Sequence, residues 1–168
     1  MQVVLPDLCL VILCGPAGCG KSTFARRHFI ETAVVSSDRC RALIADNEDE
    51  TRVSGAAFAL FHQIIDSRLR FRRLTVADST ALHPDARRDL RGIARRWRAP
   101  TAVVAFDIPE DTCHRWNVRR GRRVARAVIH RQWLRMQDAL RRIPEEGYDQ
   151  VLLLGPVDVE HASVEIER

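Results

Sequence analysis

An α/β fold built on a parallel sheet is predicted by three observations. Five short apolar runs, at residues 8–14, 33–35, 74–77, 101–106 and 151–154, alternate with stretches whose apolar residues recur at helical spacing. A glycine-rich turn joins the first run to the first helical stretch, as in a strand, phosphate loop and helix unit. The chain has 168 residues, 46% of them hydrophobic, enough to fill one core without disulfide or metal support. A single domain spanning 1–168 is the expectation.

The first run, 8–14, has the β-branched and cysteine-rich character of a buried parallel strand. Directly after it stands Gly15-Pro16-Ala17-Gly18-Cys19-Gly20-Lys21-Ser22, which satisfies G-x-x-x-x-G-K-[ST]. Glycines in this pattern let successive backbone N–H groups converge on phosphate oxygens, and the positive end of the following helix dipole strengthens the cradle. Lys21 sets a compact ammonium near the β and γ phosphates, and the Ser22 hydroxyl is placed to ligate Mg²⁺. Lys21 is also the one lysine among 27 basic residues, the rest being arginine. The exception falls where a guanidinium fork fits worst.

The second run ends in Ser36-Ser37-Asp38, which puts a carboxylate at the strand edge where open α/β sheets bind ligands. Asp38 can accept the proton of an attacking hydroxyl; alternatively, Ser37 or Asp38 simply caps a helix over 39–45. Arg41, one helical turn on, lies on the same side and can hold a substrate phosphate. Residues 46–50 carry four acids in five positions and read as an exposed loop. Phe58, Phe61, Ile65 and Leu69 mark a helix. The third run leads into Asp78, either a carboxylate near Mg²⁺ in the manner of Walker B or the start of a turn. After the fourth run, residues 115–123 crowd arginines around Gly121 between two helical patterns. That density suits a mobile lid over ATP, with a solvated loop as the alternative. Val124, Val128, Trp133, Met136 and Leu140 give the next helix, and the fifth run closes the sheet. Trp97, Trp116 and Trp133 can stack on bases, but core packing or helix amphipathicity is the preferred reading of each, and His62 and His83 stand in no nucleophile or metal spacing.

The net charge of +5 is uneven along the chain. Residues 1–85 carry 10 basic and 10 acidic groups, 86–142 carry 16 and 5, and 143–168 carry 1 and 7. The basic block suggests a polyanionic partner, or else a solvated helix face in an arginine-rich composition. The longest apolar run falls well short of the roughly 18 residues a membrane helix needs. Five cysteines, with no C-x-x-C pair, suggest neither a disulfide framework nor a zinc ribbon, and a cytoplasmic protein is expected.

Together these residues resemble the 5′-hydroxyl polynucleotide kinase domain at the N-terminus of bacterial polynucleotide kinase-phosphatase RNA-repair proteins. The resemblance rests on G-x-x-G-x-G-K-S-T-F-A at 15–25, S-S-D-x-C-R at 36–41, the stretch 52–58, L-T-V-x-D-x-T at 74–80, and the arginine-rich segment before Val124. It implies a P-loop kinase fold with strand order 2-3-1-4-5 and a helical lid around 110–135. It implies that residues 15–23, through Thr23, bind ATP or another NTP, with Lys21 catalytic and Ser22 on Mg²⁺. Asp38 becomes the general base, and Arg41 and Asp78 serve the acceptor side. The lid arginines fit best at Arg119 and Arg122 with Arg123 nearby, Arg120 and Arg123 being a register one residue on. Ser54 and Ala81 stand where the family pattern leads one to expect Thr and, after Thr80, Asn. The implied activity is phosphorylation of the 5′-hydroxyl end of RNA or DNA, in a larger protein carrying phosphatase and ligase-like modules. A small-molecule kinase and a non-catalytic nucleotide-binding module are the rival readings.

Overall fold

The computed structural model describes residues 1–120 and 124–167. Strands β1 (Gln2–Pro6), β2 (Leu10–Cys14), β3 (Val34–Ser36), β4 (Thr75–Asp78), β5 (Thr101–Phe106), β6 (Gln150–Leu154) and β7 (Ser163–Glu167) alternate with helices. The helices are α1 (Lys21–His28), α2 (Ser37–Ala45), α3 (Ser54–Arg70), α4 (Pro84–Arg96), α5 (Glu110–Val118), α6 (Arg126–Arg142) and α7 (Pro156–His161). A five-stranded parallel sheet runs in the order β3-β4-β2-β5-β6. Counted from β2, this is the expected order 2-3-1-4-5.

Strand β2 lies at the centre and all five of its residues are buried, which explains its unbroken apolar run. Its side chains alternate between two cores. Leu10, Ile12 and Cys14 pack with Phe61, Ile65, Leu69 and Leu90 beneath α3 and α4. Val11 and Leu13 pack with Phe24, Val104, Phe106 and Ile108 on the other face.

Two expectations need correction. The strand expected over 8–14 begins only at Leu10, and a strand that was not expected, β1, precedes the run and pairs in parallel with β7 as a separate two-stranded sheet. Neither Ser37 nor Asp38 caps α2. The cap is Ser36, whose hydroxyl accepts the Arg39 N–H at 3.2 Å, which leaves Asp38 within the first turn.

Part of the basic block is paired with acids. Arg87 and Arg91 turn onto Glu146, Arg96 onto Asp66, and Arg141 and Arg142 onto Asp138. Among the described residues, no helix is long and apolar enough to cross a membrane.

Candidate active site

Register brings the chemistry to one sheet edge. Asp78, the last residue of β4, stands opposite Leu13 of β2 and Ser36 of β3. The loop after β2, the α2 turn after β3 and the end of β4 therefore open side by side, at the carboxyl ends of the strands.

The loop over residues 15–20 curls through two left-handed glycines, Gly18 at φ 81° and Gly20 at φ 94°. A Cβ on Gly18 would meet the Cys113 carbonyl oxygen at 2.5 Å, so glycine is required there for space as well as for conformation. Lys21 is buried, and its ammonium donates to the carbonyls of Gly15 at 2.8 Å and Pro16 at 2.7 Å. The ammonium thus sits inside the curl of the loop.

Ser22 Oγ donates to Asp78 at 2.9 Å. Burial pushes the Asp78 carboxyl up from its ordinary range, and the Lys21 ammonium and the Ser22 hydroxyl oppose that shift. This pair of hard oxygen donors, one of them a buried carboxylate, has the chemistry that Mg²⁺ selects.

Asp38 and Arg41 meet as a salt bridge at 2.8 Å, and Arg41 also donates to Ser54 Oγ at 3.2 Å. The guanidinium lies 5.7 Å over the Phe58 ring, which fixes its plane. Asp38, Ser22 and Asp78 line one open cleft of about 1300 Å³, together with Arg26, Arg39 and Arg120. All three sequence-selected oxygen donors thus reach a single space.

A smaller cavity of about 290 Å³ adjoins the loop, lined by Gly18, Gly20, Thr23, Trp116, Arg119 and Val159 among others. Trp116 packs against the core and also borders this cavity, a position no local pattern in the sequence announces. Arg120 lines both spaces while Arg119 lines the smaller one, and Arg120 is near enough to Asp78 to lower its pKa. Of Arg119 and Arg120, the one that shares the cleft with the acids is Arg120, which belongs to the register one residue on. Arg122 and Arg123 lie outside the described residues.

Sequence reasoning also missed Gln132. Its Oε1 accepts the Ala17 N–H at 2.7 Å, so a side chain of α6 holds the phosphate loop from the far side of the arginine segment. Glu110 braces the same two helices through ring-nitrogen contacts of 3.0 Å with His114 of α5 and His130 of α6.

Solved structures share this architecture. A chain of the Pnkp1/Rnl/Hen1 RNA repair complex superposes with a TM-score of 0.70 at 20% identity, covering 82% of this chain and 46% of that one. The present chain thus spans less than half the length of that neighbour. Kti12 of Chaetomium thermophilum, solved with ADP-AlF3, gives a TM-score of 0.61 at 15% identity over 89% of this chain and 90% of its own. A gluconokinase of Sinorhizobium meliloti gives 0.55 at 15% identity over 89% and 83%. Residues 10–143, well over half of the chain, match the family described as AAA domain, and the chain belongs to that family.

Proposed function

We propose that this chain transfers the γ-phosphate of ATP or another NTP to the 5′-hydroxyl end of an RNA or DNA strand. The observation that carries the reading is Asp38, paired with Arg41, lining the same cleft as Ser22 and Asp78. A carboxylate that can take a hydroxyl proton and a cation that can hold the acceptor's phosphate are what this transfer needs on its acceptor side. The width of the cleft and the arginines around it support a strand over a small neutral acceptor. So does the likeness to a chain of an RNA repair complex.

In this reading the loop N–H groups and Lys21 hold the nucleotide's phosphates, and the cavity beside Trp116 receives the nucleoside. Ser22 and Asp78 would hold Mg²⁺, which when bound neutralises charge on the phosphates. Asp38 takes the proton from the attacking hydroxyl. Arg41, steered by Ser54 and Phe58, positions the acceptor. Arg119, Arg122 and Arg123 are the arginines assigned by resemblance to the transferring phosphoryl group, and the exposure of Arg120 to both spaces adds it to them. Residues 1–168 then form one kinase domain of a larger repair protein that also carries phosphatase and ligase-like modules.

The deciding experiment measures γ-phosphate transfer to a 5′-OH oligonucleotide, to a nucleoside and to water in parallel. Transfer favouring the oligonucleotide supports the proposal; equal use of the nucleoside promotes a small-molecule kinase, as in the gluconokinase neighbour. Hydrolysis or binding alone would leave a nucleotide-binding module.

Substitutions at two positions sharpen the test. Lys21→Ala is expected to lower transfer by roughly 10²–10³ fold, the loss of one preorganised donor at the phosphoryl group. Lys21→Arg should be similarly impaired, because the fork cannot nest in the loop. Near wild-type turnover in single-turnover assays of Lys21→Arg would refute the role. Acceptor affinity should fall with salt at a log-log slope of roughly −2 to −3 if three or four phosphates are held. Arg41→Ala should flatten that slope by about 0.7, with nucleotide affinity unchanged in a parallel titration.

A further inference from the structure

Helices α3 and α4 end in the same turn, and both turns are built from arginine and an aromatic ring. In α3 the chain reads Arg70-Phe71-Arg72-Arg73, and in α4 Arg95-Arg96-Trp97-Arg98. Arg73 N–H returns to the Arg68 carbonyl and Arg72 N–H to that of Leu69. In the other helix Ala99 N–H returns to Ala94 and Arg98 N–H to Arg95. Both are Schellman-type closures that require a left-handed residue just past the helix, where glycine is the usual solution. Here that residue is arginine in both, Arg72 at φ 59° and Arg98 at φ 51°. A non-glycine residue held there twice is backbone strain kept in return for a side chain.

The two turns are neighbours in space. Arg70 lies 5.8 Å over the Phe71 ring and 6.0 Å from Trp97, and Arg96 bridges to Asp66 of α3 at 2.7 Å. They immediately precede β4 and β5, so they sit at the amino ends of the strands, across the sheet from the phosphate loop. Phe71 is 71% exposed, an unusual position for a large apolar ring. Arg70, Arg72, Arg73, Arg95 and Arg98 are exposed, and none of them forms a salt bridge with a described residue. The nearby carboxylates are engaged: Asp66 holds Arg96 and the Trp97 indole, and Asp149 holds Thr101.

We propose that this amino edge is a second, non-catalytic binding surface for single-stranded nucleic acid. The arginines meet phosphates, and the open face of Phe71, flanked by guanidinium planes, stacks on a base. A surface meant for an acidic protein needs the charges but has no use for a ring exposed among them. Interleaved rings and cations are the pattern that holds a strand without reading its sequence. The inference does not rest on the identity of the catalytic acceptor.

The test uses the whole chain and a closed single-stranded oligonucleotide circle, which has no 5′-hydroxyl end to offer the cleft. Binding is followed by fluorescence anisotropy across a salt series. Arg72→Gly combined with Arg98→Gly removes two charges while giving each turn the residue its backbone prefers, so the melting temperature should hold or rise. This variant should flatten the salt slope by about 1.4, two strand phosphates at about 0.7 each. Phe71→Ala, on the surface, should weaken circle binding by about fivefold or more, the loss of one stacked base. Phosphate transfer to a short acceptor should be unchanged in both variants. Circle binding that is absent in the wild type, or unaltered in both variants, overturns the proposal. Displacement of the circle by polyglutamate at equal charge overturns the nucleic-acid assignment in favour of an acidic protein.

Discussion

Asp38→Asn is expected to leave the fold and nucleotide binding intact while lowering phosphate transfer by roughly 10²–10⁴ fold, the usual contribution of a positioned general base. The separation of these effects depends on where Asp38 sits. Ser36, not Asp38, caps α2, so the substitution removes no helix cap. What it removes structurally is a favourable charge in the first helical turn and a part-exposed salt bridge with Arg41. Each is worth at most about 1 kcal/mol. The asparagine can still hydrogen-bond to Arg41 but cannot take a proton. Thermal melting, nucleotide titration and single-turnover transfer on the same preparation check all three parts. Full activity in this variant, or an unfolded protein, would remove the general base from the mechanism.

Arg87→Leu is expected to cost about 3–5 kcal/mol of stability, the penalty for leaving a buried ion pair half made. Arg87 is fully buried in α4 and each of its three nitrogens is hydrogen-bonded. Nε reaches Glu146 at 2.9 Å and Nη1 reaches the carbonyls of Ala81 at 2.8 Å and Leu82 at 2.9 Å. Leucine would take this donor from the Leu82 carbonyl, leave the Ala81 carbonyl with the weak Cys14 thiol donor, and leave the Glu146 carboxylate dependent on Arg91 and Tyr148. The damage should also reach the site, because the Thr80 carbonyl of the same loop accepts the Gly15 N–H at 3.0 Å. Urea denaturation gives the size of the loss, and Arg87→Leu with Glu146→Gln should recover part of it. The pair also has a pH signature. Burial alone would raise the Glu146 carboxyl, but hydrogen bonds from Arg87 hold it below its ordinary value. A depressed folded value gives stability that is full above the ordinary carboxylate range and is lost as pH falls through the depressed one. The acid arm of the wild-type stability curve should therefore be steeper than that of the double variant.

The five-stranded sheet was legible because its inner strands β2, β4 and β5 are buried throughout and its edge strands β3 and β6 still read as apolar runs, β2 being the plainest. The phosphate loop was legible because its geometry needs glycines at set spacings and a lone lysine. Strands β1 and β7 were not. Gln2–Pro6 and Ser163–Glu167 are short and partly polar, and each is a strand only because the other lies beside it. Arg87 was counted among free cations, since nothing local distinguishes an arginine that will meet a glutamate 59 residues away. The same holds for Gln132, whose partner Ala17 N–H is 115 residues distant. The acids at the sheet edge could be chosen from sequence, because strand ends predict position. The tryptophan beside the loop and the facing of the arginines could not, because helix rotation decides them.

The joint between β1 and β7 has a kinetic meaning. Gln2 donates to Glu165 across 163 residues of chain, so this small sheet closes nearly the whole polypeptide into one ring. Closure entropy grows only with the logarithm of loop length, so the distance itself adds little to the barrier. The joint is slight for another reason: it is two strands wide, and every described residue of β7 keeps contact with solvent. It should be the last part of the chain to lock during folding and the first to open in the native state. Its amides should exchange with deuterium by a local opening that leaves the central sheet, and the phosphate loop upon it, undisturbed.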